Sequence, residues 1–177
     1  MFIEVEDLEE EPLHVQHTYP QTELPFRHED AVLDEPVAVD FMLTHDARDL
    51  RLGGFLETAL RFTCARCLKQ VPRRLATSFD LLYVPQPPAT ADAEEEIELD
   101  YDEMDVGFYD GIRLDVDLMV LEQIELSIPM RFVCREDCRG LCYTCGADLN
   151  ERTCSCTQQT GDSRLAVLRE FRKKMEP

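Results

Sequence analysis

The sequence predicts an α+β fold: an antiparallel, barrel-like β-sheet with one packed helix, and a Cys-rich C-terminal segment that ends in a second helix. Three observations support this prediction. Strand-like runs fill residues 35–84, residues 115–129 have a helical apolar period, and six of the eight cysteines lie within residues 134–156. With 177 residues, 44% of them hydrophobic, the chain can bury a core without depending on disulfides.

Five runs of strand-like composition predict the sheet: 35–43, 48–64, 75–84, 96–101 and 106–114. The second run contains Gly53 and Gly54, which we expect to break the strand. The segment "CARC" (64–67) would be the turn of a hairpin. We predict a flexible loop over residues 85–96, because prolines followed by a run of acidic residues cannot pack into a core.

Two helices are predicted, over 115–129 and about 162–175. Asp115 and Asp162 are suitable N-cap residues, and Pro129 would end the first helix. Their apolar positions recur at helical spacing: Leu118, Leu121, Ile124 and Ile128 in the first, and Leu165, Leu168, Phe171 and Met175 in the second. The chain is therefore divided into an acidic N-terminal arm (1–34), a β-rich core (35–130) and a Cys-rich segment with its closing helix (131–177).

The net charge of −19 is unevenly distributed. Residues 1–60 carry three basic and fifteen acidic side chains, and residues 75–130 carry one and fifteen. Residues 61–74 carry five basic side chains and no acidic one, and residues 131–177 carry nine basic and seven acidic. The cations are therefore concentrated around the two groups of cysteines.

The N-terminus has no basic segment followed by an apolar one, which argues against a secretory signal, and no run of residues is apolar enough to span a membrane. We therefore expect a cytoplasmic protein. In that compartment clustered cysteines are more often metal ligands than disulfides. A thioredoxin-like redox pair or an iron–sulfur cluster is a weaker interpretation, because "CARC" joins two strands and because Cys-x-Cys beside a glycine-closed Cys-x-x-Cys favours zinc.

The spacing of the cysteines predicts two zinc sites. "CYTCG" (142–146) can direct two sulfurs at one ion and "CSC" (154–156) can complete a tetrahedron, so the first site is Cys142, Cys145, Cys154 and Cys156. The remaining four cysteines, Cys64, Cys67, Cys134 and Cys138, would form the second site. An alternative groups Cys134 and Cys138 with Cys142 and Cys145. Four thiolates leave no open position on the metal, so both ions would be structural.

No catalytic motif is present. The sequence has no Walker-type phosphate loop, no His-Glu-x-x-His, no Gly-x-Ser-x-Gly and no dinucleotide glycine fingerprint. We therefore expect no enzyme activity and no small-molecule substrate.

The chain resembles the YceD family of bacterial and plastid proteins. The resemblance lies in "CARCL" between two strands, "ELSIP" at a helix end, "CRGLCYTCGADLN" followed by "CSC", and "GDSRLAVL" at a helix start. It covers roughly residues 35–172. It implies a role in the accumulation of large-subunit (23S) ribosomal RNA and in ribosome assembly, with that RNA or a pre-ribosomal particle as the partner.

Lysine and arginine side chains would contact the RNA phosphates. Eight of them lie near the cysteines: Arg61, Arg66, Lys69, Arg73, Arg74, Arg131, Arg135 and Arg139. The alternative interpretation is that these basic side chains are only exposed to water around the hairpin turn and contact no RNA. Because the rest of the chain is strongly acidic, a second function also stays open, that of an escort or adaptor for a basic ribosomal protein, with an indirect effect on the RNA.

Overall fold

The computed structural model describes residues 1–8, 11–86 and 106–156. The predicted strand 96–101, most of the predicted loop 85–96 and the predicted helix 162–175 lie outside these described residues. The described chain falls into two compact units. The first unit comprises Met1–Ala65 and Lys69–Cys134, and the second comprises residues 66–68 and 135–156.

All strands and the one α-helix of the described residues belong to the first unit. The strands are β1 (Phe2–Glu4), β2 (Leu13–Tyr19), β3 (Ala31–Leu33), β4 (Val37–Asp46), β5 (Asp49–Thr63), β6 (Gln70–Pro85), β7 (Val106–Tyr109) and β8 (Arg113–Asp115), and the helix is α1 (Val116–Ser127). A short 3-10 turn follows β1. Among the described residues there is no helix of the length and apolar character that crossing a membrane requires.

The main sheet has six strands in the order β2-β4-β5-β6-β7, and β3 pairs with β5. All of these pairs are antiparallel except β6-β7, which is parallel. β1 and β8 form a separate two-stranded sheet. Within the described residues the sheet does not close, because β2 and β7 at its two ends do not pair with each other, so the predicted barrel-like closure is not observed. The mixed sheet with one helix agrees with the α+β class.

The predicted hairpin is present, because β5 and β6 pair in continuous register from Leu50–Tyr83 to Thr63–Gln70. The prediction that Gly53 and Gly54 break β5 is wrong, since both stay paired with β4 and β6. Gly54 is required there by a close approach: a Cβ would lie 2.3 Å from the carbonyl oxygen of Asp40 on β4. A Cβ on Gly53 would meet nothing within 4 Å.

The predicted strand over 106–114 is two strands, β7 and β8, separated by a turn. One carboxylate oxygen of Asp110 accepts the backbone N–H groups of Ile112 and Arg113 at 2.8 and 2.7 Å. These local bonds compete with strand pairing and turn the chain. The residues predicted as an acidic arm, 1–34, contain β1, β2 and β3, and the three-part division of the chain stays a prediction.

The N-cap predicted for the first helix is confirmed, because the carboxylate of Asp115 accepts the N–H groups of Asp117 and Leu118. The predicted apolar face is only partly right. Ile124 is buried, but Leu118 is 53% exposed. The buried face is Val116, Met119, Val120 and Ile124. Both sets have helical spacing, so the period alone could not choose between them.

The core of the first unit lies between the inward side chains of the sheet and α1. Alternate residues of β4 and β5 are buried, as expected for a sheet with one covered face. Phe41, Leu56 and Leu60 contribute from the sheet, and Met119 and Ile124 contribute from the helix, each with at most 1% of its surface exposed. This core gives the first unit a source of stability that does not involve the cysteines.

Candidate metal centres

The eight cysteines fall into two groups of four that could each hold a metal ion: Cys64, Cys67, Cys134 and Cys138, and Cys142, Cys145, Cys154 and Cys156. Cys134 and Cys138 are therefore grouped with the hairpin cysteines rather than with Cys142 and Cys145. The second group, which we call the tail group, lies wholly in the second unit. We call the first group the hairpin group, after Cys64 and Cys67 in the turn between β5 and β6.

The sulfurs of the tail group lie within 4.8 Å of one another. A tight turn over 142–146 holds the first two, with the N–H of Gly146 donating to the carbonyl of Cys142 at 2.8 Å. The N–H of Cys142 donates to the carbonyl of Ala147 at the same distance. Gly146 has φ +69°, a conformation that glycine adopts without steric cost. A turn that closes on itself in this way points both sulfurs to the same side.

The electrostatics of the tail group favour a thiolate at Cys142. The backbone N–H groups of Cys145 and Thr144, followed by the thiol of Cys154, donate to its sulfur and lower the pKa of Cys142 to about 6. The opposite holds for Cys156, whose hydrogen bond with the side chain of Cys145 raises its pKa to about 12. One thiolate is thus favoured, at Cys142, whereas the raised pKa values of Cys154 and Cys156 favour their protonated forms. A bound cation would favour the thiolate form of all four.

Asn150 is a contributor to the second unit that the cysteine spacing did not reveal. Its side-chain oxygen accepts the N–H of Arg139 at 2.8 Å and the guanidinium of Arg135 at 2.9 Å. Its amide nitrogen donates to Asp148 at 2.7 Å and to the sulfur of Cys138 at 3.5 Å. The sequence signal that could have identified Asn150 is the "GADLN" run (146–150), which ends at this residue and follows directly after Cys145.

Within the first unit, the two cysteines of the hairpin group lie together. The N–H of Cys134 donates to the sulfur of Cys64 at 3.4 Å. Cys64 directly follows β5, and its own N–H donates to the carbonyl of Lys69 across the hairpin turn at 2.9 Å. The N–H of Ala65 donates to the carbonyl of Phe132 at 2.9 Å, which fastens the chain after α1 to this turn.

Within the second unit, Cys67 and Cys138 are both buried, and their segments are joined by hydrogen bonds. The guanidinium of Arg66 donates to the carbonyls of Glu136 and Cys138 at 3.0 and 2.8 Å. The carbonyl of Arg66 accepts the N–H of Leu141 at 3.1 Å. Arg66 therefore has a structural role, which lowers its value as a phosphate contact.

The eight cations proposed to contact RNA differ in whether the structure gives them another partner. Arg61 is paired with Asp34, and Arg135 is bound to Asn150 and Asp137, so these two, like Arg66, already have partners. Lys69 also has an interaction partner. Of the eight, four have no carboxylate partner among the described residues: Arg73, Arg74, Arg131 and Arg139.

Arg73 and Arg74 lie on opposite faces of the sheet. They pair with Leu60 and Ala59 respectively, and successive residues of a strand point to opposite sides. The guanidinium of Arg73 lies 5.8 Å from the ring centre of Phe132, which stacks on Phe62. Arg74 instead lines a groove of about 360 Å³ that also contains Glu35 and Glu57. The two arginines cannot form one patch, although they are adjacent in sequence.

The family described as "Large ribosomal RNA subunit accumulation protein YceD" matches residues 52–172. Among similar proteins, the chloroplastic YCED homolog 1 of Arabidopsis thaliana is 25% identical over 80% of this chain, and the protein of the same name from Zea mays is 31% identical over 69%. An uncharacterized protein of Mycobacterium tuberculosis is 34% identical over 49%.

The chain spans about half the length of the two plant relatives, at 50% and 48%, and 38% of the mycobacterial one. No solved structure shows a significant match to this chain. The family match nevertheless extends over both groups of cysteines and the hairpin that carries the first of them. On this evidence the chain belongs to the YceD family.

Proposed function

We propose that this protein is a cytoplasmic, non-enzymatic factor that supports the accumulation of large-subunit ribosomal RNA by binding that RNA or a precursor particle. The observation that carries the proposal is the family match over residues 52–172, because the family and the plant relatives are named for this role. The structure suggests which side chains could contact the RNA and which groups could hold those side chains in position.

Zinc is the metal that we assign to both groups of cysteines. Four sulfurs within 4.8 Å of one another suit a tetrahedral ion with zinc–sulfur bonds of about 2.3 Å. In the tail group the ligands would be Cys142, Cys145, Cys154 and Cys156, and in the hairpin group Cys64, Cys67, Cys134 and Cys138. Such ions would be structural, because every coordination position is filled by protein sulfur. They would fix the turns that carry the neighbouring cations.

We expect elemental analysis of the protein, purified without added metal, to approach two zinc ions per chain. Cys142→Ser should lower the value to about one, because it removes one ligand of the tail group alone. A wild-type value near one would remove the hairpin site. A value near zero, or an iron content that accounts for the thiols, would remove the zinc assignment altogether.

For the RNA contact, the structure favours the edge of the sheet where Arg73 lies over Phe132. Arg131 precedes this ring in sequence, and neither arginine has a carboxylate partner among the described residues. A guanidinium held over an aromatic ring is fixed in position and keeps N–H groups that can donate to a phosphate. This edge is therefore the best-supported phosphate site in the first unit.

Arg73→Glu is expected to weaken binding to a large-subunit ribosomal RNA transcript on the order of tenfold at low salt. Arg74→Glu provides a matched control, with the same charge change one residue away but on the opposite face beside Glu57. It should change affinity less. The slope of log affinity against log salt should flatten by roughly one for Arg73→Glu, since one phosphate contact is lost. Equal effects of the two variants would contradict a local contact at Arg73.

A second candidate function is that of an escort or adaptor for a basic ribosomal protein. The specific observation in its favour is that Glu29, Asp30 and Glu125 line the cavity of about 330 Å³ that contains Phe132. Together with the net charge of −19, these carboxylates would repel RNA and attract a cationic partner. Binding of purified basic ribosomal proteins after nuclease treatment, measured beside the RNA titration, separates the two functions. If a ribosomal protein binds and the RNA does not, the escort is the better description.

A further inference from the structure

One face of α1 is exposed although most of its side chains there are apolar. Leu118 and Leu126 are 53% and 78% exposed, and Glu122 lies midway between them in the chain. Residues four apart in a helix lie one above the other on the same face. These three residues therefore form one stripe, which is apolar at both ends and acidic in the middle. None of them belongs to the buried face of α1.

The stripe lines a groove beside the sheet of the first unit. Two cavities of about 380 and 350 Å³ adjoin there, because Tyr83, Gly107 and Glu122 line both of them. Leu126 lies at the end of the second cavity. The first cavity reaches three large apolar side chains, each more than half exposed: Phe2, Phe108 and Leu118. We call the two cavities together the α1 groove. Exposed apolar side chains grouped around one groove mark an interaction surface.

The middle of the α1 groove is a carboxyl group with a neutral neighbour. Gly107 leaves room for the ring of Tyr83, since a Cβ at this position would lie 2.5 Å from the ring. The hydroxyl of Tyr83 donates a hydrogen bond to the carboxyl of Glu122. Burial, followed by the negative charge of Glu125, raises the pKa of Glu122 above its ordinary value. A cation placed beside this carboxyl would favour its charged form.

No basic side chain in the described ranges neutralises this carboxyl. α1 contains no lysine or arginine, and neither Glu122 nor Glu125 is ion-paired. The basic side chain that lines the α1 groove is Arg113. Its guanidinium lies 4.4 Å from the ring centre of Phe2 and 3.6 Å from the carboxylate of Asp110, so it is already engaged. The α1 groove is therefore complementary to a cation and would repel a phosphate.

We propose that the α1 groove binds a segment of a protein partner in which one lysine or arginine lies between large apolar side chains. The cation pairs with Glu122, and the apolar side chains cover Leu118 at one end and Leu126 at the other. The inference goes beyond the proposed RNA binding and does not depend on it. Charge argues against the chain's own residues 87–105 as the occupant, since they carry nine acidic and no basic side chains.

The test titrates the full chain, with its metal, against a fluorescent synthetic peptide that carries one arginine between leucines. Glu122→Gln keeps the size of the side chain and an acceptor for Tyr83 but removes the charge. We expect it to weaken binding of the peptide about fivefold, because the ion pair is lost. A second peptide, with glutamine in place of its arginine, should bind the wild type and Glu122→Gln equally.

Glu125→Gln is the matched control. It makes the same change of charge three residues later on α1, but Glu125 lines the separate cavity that contains Phe132. It should change the affinity for the arginine peptide less than Glu122→Gln does. Leu118→Gln tests the apolar end of the α1 groove. Because Leu118 is exposed, its replacement should leave the unfolding temperature unchanged, whereas affinity for the peptide should fall about threefold or more.

Four results would overturn the inference. If the wild type does not bind the arginine peptide, or if Glu122→Gln and Glu125→Gln weaken its binding equally, Glu122 does not receive a cation. If Glu122→Gln also weakens binding of a large-subunit ribosomal RNA transcript, the α1 groove belongs to the RNA contact. If the chain alone self-associates in sedimentation and Glu122→Gln abolishes this, the occupant is a second copy of the chain. A failure of the wild type to bind RNA would leave the inference intact, because the peptide titration contains no RNA.

Discussion

Replacing Cys142 by serine is expected to remove the ordered structure of the part of the second unit that carries the tail group, residues 142–156. Structural zinc contributes on the order of 10 kcal/mol in small metal-bound motifs. The described part of this unit has no helix and no strand beyond one bridge between Leu141 and Asp148. Its buried residues are mostly the cysteines themselves, with Ala147 as the buried hydrophobic residue that is not a cysteine. Little apolar burial is therefore left to hold it when a ligand is lost.

Amide hydrogen exchange measures this directly. In the wild type the N–H groups of Cys142, Gly146 and Leu149 are bonded to carbonyls within the unit, at 2.8, 2.8 and 2.9 Å. Their protection should disappear in Cys142→Ser while the amides of β5 and β6 stay protected by their own core. Thr144→Ala, an exposed change in the same turn, serves as the control. Unchanged protection in the serine variant would show that the metal does not stabilise this unit.

The other large effect is expected in the sheet, from Gly54→Val. The new Cβ would lie 2.3 Å from the carbonyl oxygen of Asp40 and 2.4 Å from the Cβ of Phe41. Phe41 is 1% exposed in the core, so the neighbouring strand cannot retreat without opening a gap. We expect a loss of about 3 kcal/mol or more in the free energy of unfolding.

Gly53→Val is the matched control, one residue earlier on the same strand. A Cβ at this position meets nothing within 4 Å, and valine suits a strand, so the change should be within about 0.5 kcal/mol. Urea unfolding of both variants, followed by far-ultraviolet circular dichroism, gives the comparison. If the two valines destabilise equally, the close approach of β4 and β5 at Gly54 is not what requires glycine there.

Local features were predictable from the sequence. The hairpin around "CARC" and the cap at Asp115 depend on residues close together in the chain, so composition and spacing were sufficient. The buried face of α1 was not predictable from the sequence, because the helix is apolar on more than one side. Only contact with the sheet determines that Met119 is buried and Leu118 is exposed. The parallel pairing of β6 with β7 likewise depends on distant parts of the chain.

In the candidate site, too, the features that depend on residues close together in sequence were predictable, and those that depend on distant residues were not. Cysteine spacing predicted a group of four that the structure brings within 4.8 Å in the tail, because its members lie within fifteen residues. The sequence could not show which of the proposed cations already have a carboxylate partner. The partner of Arg61, for example, is Asp34, which lies far away in sequence, in the chain after β3. The opposite directions of Arg73 and Arg74 could have been read from the two-residue period of a strand.

The continuous register of β5 and β6 also has a kinetic consequence. Fourteen residue pairs are nested around a six-residue turn, so each pair shortens the loop that the next one must close. Such a hairpin can form from Thr63 and Gln70 outward, with contacts of low sequence separation made first. Changes beside the turn would then slow folding, whereas changes at the open end, where Leu50 faces Tyr83, would mainly hasten unfolding. The segment that carries Cys64 and Cys67 is thus the place where the sheet would begin to assemble.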